Sequence, residues 1–122
     1  MEITPKHALP YILAAQAQKH VTHNEALRSL DALIQLAVKS RLSTDPPPDL
    51  GQGDAYLVAA AGSGDWLDRD GWFAVFQDGA WSFHQPRAGW LVWVEDETQL
   101  LVHDGSGFVL LLELLVGGID AL

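Results

Sequence analysis

The chain has 122 residues, a formal net charge of −9 and no cysteine. That length allows one domain with one real core. The charge argues against nucleic acid and anionic membrane surfaces as partners, and the missing cysteine excludes a disulfide, a thiolate nucleophile and a zinc ribbon. The charge is also uneven. Residues 1–42 carry five basic against three acidic side chains, a net of +2, whereas residues 43–122 carry two against thirteen, a net of −11. Such a balance suits neutral sugars or a basic partner.

The first elements read as helical. Pro10 fits a first helical position, and Tyr11 to Lys19 is rich in Ala and Gln. Lys6 and His7 lead into this run rather than into the apolar core of a signal peptide. Thr22 and Glu25 have the spacing of a capping box. After them Leu27, Leu30, Leu33, Ile34, Ala37 and Val38 recur at helical spacing, with Arg28, Asp31, Gln35 and Lys39 outside the stripe. The spacing predicts a helix over 23–41, with Glu25 and Asp31 pairing with Arg28 on its surface. Pro46-Pro47-Pro48 cannot continue it. Residues 1–42 therefore read as a two-helix docking and oligomerisation arm, and 43–53 as a stiff Pro-rich linker.

Beyond the linker the period becomes strand-like. Candidate strands are 55–59, 71–76, 80–84, 89–94, 99–103 and 107–110, with Asp78-Gly79 and Asp104-Gly105 as turn signals. A weak repeat runs through Gly71-Trp72 to Asp78-Gly79-Ala80-Trp81 and through Gly89-Trp90 to Asp104-Gly105 and Phe108. The fold class expected is α+β: the helical arm plus a small antiparallel sheet of hairpins over 54–122, marginal unless a helix or a partner covers one face. Phe108 to Val116 is apolar apart from Glu113 and too short to cross a membrane. It reads as a buried strand or as a surface covered by another subunit.

No catalytic constellation is legible. Asp65, Asp68 and Asp70 do not have the spacing of a calcium loop. His20 and His23 lack a third metal ligand. Ser82, His84 and Asp78 are triad residue types without a nucleophile elbow. No metal or cofactor is therefore expected, and the chain reads as a non-enzyme. A tail-associated hydrolase fragment finds no residues to support it. The five tryptophans read either as sheet core or as sugar platforms. Trp66, Trp81 and Trp93 are the candidate glycan contacts. On the core reading, Trp72, Trp81 and Trp90 pack against Leu30 and Ile34.

The strings Leu9-Pro10-Tyr11-Ile12, Gln16-Ala17-Gln18-Lys19-His20-Val21-Thr22-His23-Asn24-Glu25-Ala26-Leu27 and Leu30-Asp31 resemble a bacterial and phage domain, DUF2793. So do Gly53-Asp54-Ala55-Tyr56-Leu57-Val58, Gly64-Asp65-Trp66, Asp78-Gly79-Ala80-Trp81 and Pro86-Arg87-Ala88-Gly89-Trp90. The resemblance spans about residues 5–108. It implies a place in the tail fibres or head spikes of tailed phages and gene transfer agents, with the domain at the particle-proximal end. If Leu122 is the natural end, a distal receptor-binding part is missing, which favours a base or adaptor. The family has no assigned active site. The expected partners are further copies of the chain and other capsid, tail or fibre proteins, with host surface polysaccharide as the alternative ligand. The expected location is a virion or phage-like particle assembled in the bacterial cytoplasm. The expected oligomer or docking surface comprises Lys6, Gln16, Gln18, Lys19, Leu27, Leu30, Ile34, Leu111 and Leu114.

Overall fold

The computed structural model describes residues 2–12 and 19–120, with the side chains of 19, 20 and 118–120 outside the description. Among these residues the fold is α+β. Helix α1 spans Lys19–Leu33, followed by strands β1 (Ala37–Val38), β2 (Ala55–Leu57), β3 (Phe73–Gln77), β4 (Ala80–His84), β5 (Leu91–Val94), β6 (Gln99–His103) and β7 (Phe108–Leu110), and then helix α2 (Leu111–Asp120). The strands form two sheets rather than the one expected. One has the order β1-β5-β6-β7, with β1 parallel to β5 and the other pairs antiparallel; the other is the antiparallel meander β2-β3-β4.

The hairpins lie where alternation and turn signals put them. Asp78 (φ 53°) and Gly79 (φ 85°) both take positive φ at the β3–β4 turn, as the tight primed turns of hairpins require. Strands β4 and β6 match their expected spans residue for residue. Glu95, Asp96 and Glu97 sit at the β5–β6 tip, where Glu97 makes a two-pronged ion pair with Arg41 at 2.7 and 2.8 Å.

The expected 23–41 helix is corrected at both ends. It begins by Lys19, so Thr22 lies inside it and no capping box forms there. It stops at Leu33, with Gln35 in a left-handed conformation (φ 49°). Leu36 to Ser40 then run extended between the two sheets. On one side Trp93 N–H donates to the Leu36 carbonyl and Glu95 N–H to Val38; on the other Lys39 N–H donates to Ala55 and Leu57 N–H to Ser40. Helix would satisfy these groups locally. The extended form satisfies them on both sides and also buries Leu36 and Val38 in the core, which outweighs the helical spacing of Ala37 and Val38. The 43–53 stretch is tied back by Ala59 N–H to Ser43 and Ser63 N–H to Thr44. The first expected helix, from Pro10 to Lys19, falls mostly on residues outside the description.

A main core joins α1 to both sheets through Ala32, Leu36, Val38, Leu57, Phe73, Val75, Val92, Val94 and Leu101. A smaller core gathers Tyr56, Val58, Trp66 and Ala74 on the other face of the meander, with Trp81 and Phe83 against it. The C-terminal apolar run divides between the two expectations. Residues 108–110 form a strand, and 111–120 form a helix whose Leu112, Leu114, Leu115 and Val116 stay exposed.

Candidate interaction surface

The N-terminal segment is bound to the body at several points, with one buried acid at their centre. Asp31 is fully buried. It accepts from Thr4 Oγ1 at 2.6 Å, Lys6 N–H at 2.9 Å, His7 N–H at 2.6 Å and Gln77 Nε2 at 3.3 Å. Helical spacing puts Asp31 on the solvent side with Arg28, but residues 4–7 fold over it and replace the water. Arg28 turns instead to Asp78, 2.7 Å away, whose same oxygen takes the Tyr11 hydroxyl at 2.6 Å. Burial, helped by the bond to Asp78, pushes the Tyr11 phenol up to about 12. Lys6, expected on the docking surface, turns its amine onto the Ala32 carbonyl at 3.3 Å. Burial pulls its pKa down, with Asp31 working against the fall. Lys6 therefore belongs to the strap, residues 4–7 folded over Asp31, rather than to a free surface.

His84 lies at the end of β4, opposite Phe73. Its Nε2 is buried without a hydrogen-bond partner. Burial lowers its pKa from 6.5, and the Lys6 charge acts in the same direction. In a base whose folded pKa is depressed, the unfolded chain takes the proton first, so stability is held above about pH 6.5 and lost as pH falls below it. Between pH 7.5 and 5.5 the thermal midpoint of the wild type is expected to fall more than that of His84→Phe. Equal slopes in calorimetry would refute this role.

The tryptophans divide three ways. Trp66 is fully buried, 5.5 Å from Tyr56 and 5.2 Å from Trp81 between ring centroids. It has no free face for a sugar, and that expectation is overturned. Trp81 is half-buried against the same cluster. Trp90 stacks on Phe73 at 6.1 Å and 14°, rather than on Leu30 and Ile34, which remain exposed. Trp72 is covered on one face by the Arg69 guanidinium at 4.6 Å. Only Trp93 of the three candidate glycan contacts is exposed, at 40%.

Trp93 stands at the join of two open apolar clefts. The larger, about 670 Å³, is lined by Leu33, Gln35, Leu36, Gly89, Trp90, Leu91, Trp93 and Leu100. The smaller, about 260 Å³, lies between Trp93, Leu100 and the Leu111, Leu112 and Leu115 side of α2. Of the expected docking residues, Leu27 is half-buried, Leu30 and Ile34 lie exposed at the end of α1, Leu111 lines the smaller cleft and Leu114 is exposed beside it. Gln16 and Gln18 lie outside the described residues, as does the Lys19 side chain. The groove residues Leu33, Leu36, Trp90, Leu91 and Leu100 come from two stretches far apart in sequence, the end of α1 and the β5–β6 hairpin. The nearest signal was the double-faced apolar run of 90–94, which leaves one face over after the core is filled.

Among the described residues, no three His, Asp or Glu side chains lie close enough to hold a metal ion, and no helix is long and apolar enough to cross a membrane. Asp70 accepts from the Ala61 and Gly62 amides at 2.9 and 2.8 Å, which makes it a turn brace. Neither a curated protein nor a solved structure matches the chain. A family model does match, over residues 23–109, so the Leu9 to Thr22 strings lie ahead of the matched span. That span is well over half of the sequence, and the chain belongs to the DUF2793 family, described as a protein of unknown function.

Proposed function

We propose that this domain is a non-enzymatic structural component of a tailed-phage or gene-transfer-agent-like particle, forming the base or adaptor of a head spike or tail fibre. The observation that carries the assembly role is the uncovered apolar face of Leu91, Trp93, Leu112, Leu114 and Leu115. A small soluble domain rarely leaves such a face open unless something covers it. The kind of assembly comes from the resemblance of its sequence strings to fibre and spike proteins. Its partners are further copies and neighbouring particle proteins, and its location is the particle, assembled in the bacterial cytoplasm. The test is gold labelling of the tagged protein on purified particles. Label at the head vertices or on the tail supports the reading, and particles free of the protein overturn it.

A second reading, a module for host-surface polysaccharide, is favoured by a different feature. A polar cleft of about 230 Å³ sets Trp72 among Asp70, Gln85, His103 and Ser106, the mix of ring face and hydrogen-bonding groups that a sugar uses. NMR titration with host capsular polysaccharide, repeated on Trp72→Ala, tests it. Unchanged spectra for the wild type would end this reading.

A further inference from the structure

We propose that the groove between the end of α1 and strand β5 seats helix α2 of a second copy of this chain. At 100° per residue, Leu111, Leu112 and Leu115 share one side of α2, Leu114 and Val116 flank it, and Glu113 points the opposite way. The apolar arc is thus roughly 200° wide, broader than the stripe of an ordinary surface helix. Its own body offers this arc only the shallow cleft beside Trp93 and Leu100, and Leu112 and Leu115 remain 61% and 57% exposed. The larger groove begins at the same Trp93 and Leu100. A ridge and a hole side by side on one face make that face self-complementary, which is what a two-fold pair requires.

Charge selects the occupant. Two copies each carrying −9 repel at most approaches. None of the residues lining either cleft is charged, so this face lets two acidic copies meet without opposing carboxylates. At the neighbouring rim Glu97 is already neutralised by Arg41. A basic partner would be drawn to the acidic surface of residues 43–122 and would gain nothing from a neutral groove. Size agrees as well. Eight large apolar side chains on α2, β5 and the end of α1 are 40–61% exposed. Together they leave on the order of 600 Å² uncovered, at the upper end of what a monomer shows and approaching the roughly 800 Å² per partner of a stable pair.

The inference rests on reading this face as a covered assembly surface, and its test does not involve the particle. Sedimentation of the full chain at micromolar concentration is expected to show self-association. Leu112→Asp, at an exposed helical position, is expected to weaken it by roughly a hundredfold, because the new carboxylate is buried unpaired, while the circular dichroism spectrum is kept. The chain has no native cysteine, so a mixture of Leu91→Cys and Leu112→Cys proteins reports the geometry directly. A disulfide joining the two variants in preference to either with itself supports the α2-in-groove arrangement. A monomeric wild type, an unweakened Leu112→Asp protein, or cross-links only between like variants would each overturn it. A chain that pairs this way but is missing from particles overturns the functional proposal alone.

Discussion

Asp31→Ala is expected to lower the unfolding free energy by about 3–5 kcal/mol, because it leaves several buried or part-buried donors without their acceptor. The substitution strips the acceptor from Thr4 Oγ1, the Lys6 and His7 amides and the Gln77 amide group at once. Thr4 and Gln77 are themselves buried, so water cannot replace the lost bonds without opening the fold. Gln77 loses the least, since its Nε2 still donates to the Arg28 carbonyl at 2.9 Å. Thr4→Val, which removes one bond to the acid and the acceptor of Leu9 N–H, should cost about 2 kcal/mol. Urea unfolding followed by far-ultraviolet circular dichroism measures both. Hydrogen exchange should also show residues 4–9 losing protection in Asp31→Ala before the sheets do. A loss under about 1 kcal/mol for Asp31→Ala would mean that the strap contributes little to holding α1 on the meander.

Phe73→Ala is expected to cost a similar 3–5 kcal/mol, by a different route. Phe73 is fully buried on β3 of the meander. Its ring meets Trp90, just before β5, and Phe108 of β7, at 6.1 and 5.5 Å between centroids. Both partners belong to the other sheet's part of the chain. Removing the ring leaves a cavity where the two sheets face each other, so their coupling should weaken along with total stability. Phe83→Ala, on the half-buried face of β4 beneath Arg69, should cost clearly less. Denaturant curves read by tryptophan fluorescence and by circular dichroism should coincide in the wild type and separate in Phe73→Ala. Coincident curves with a loss below 2 kcal/mol would show that Phe73 does not join the sheets.

The local sequence determined the hairpins. Asp78-Gly79 needs positive φ at both residues, and few other chain conformations suit it; the alternation of 80–84 puts Trp81 and Phe83 on one face, against the smaller core. The apolar run at 108–116 and the surplus of large side chains on 90–94 were likewise visible as surface that one small sheet cannot bury. What the sequence could not decide was any choice between two satisfactory local solutions. Ala37 and Val38 fit the helical stripe of α1 and, with Leu36, also alternate as a strand; only the presence of β5 on one side and β2 on the other, brought in from residues 91–94 and 55–57, favours the strand. Asp31 has the spacing of a solvated helix residue, and its burial depends on a segment 24 to 27 residues earlier that folds over it. Trp66 and Trp93 are indistinguishable as letters. One is enclosed by Tyr56 and Trp81, the other left open at the join of two clefts, because face and depth in a two-sheet fold are set by long-range packing rather than by period.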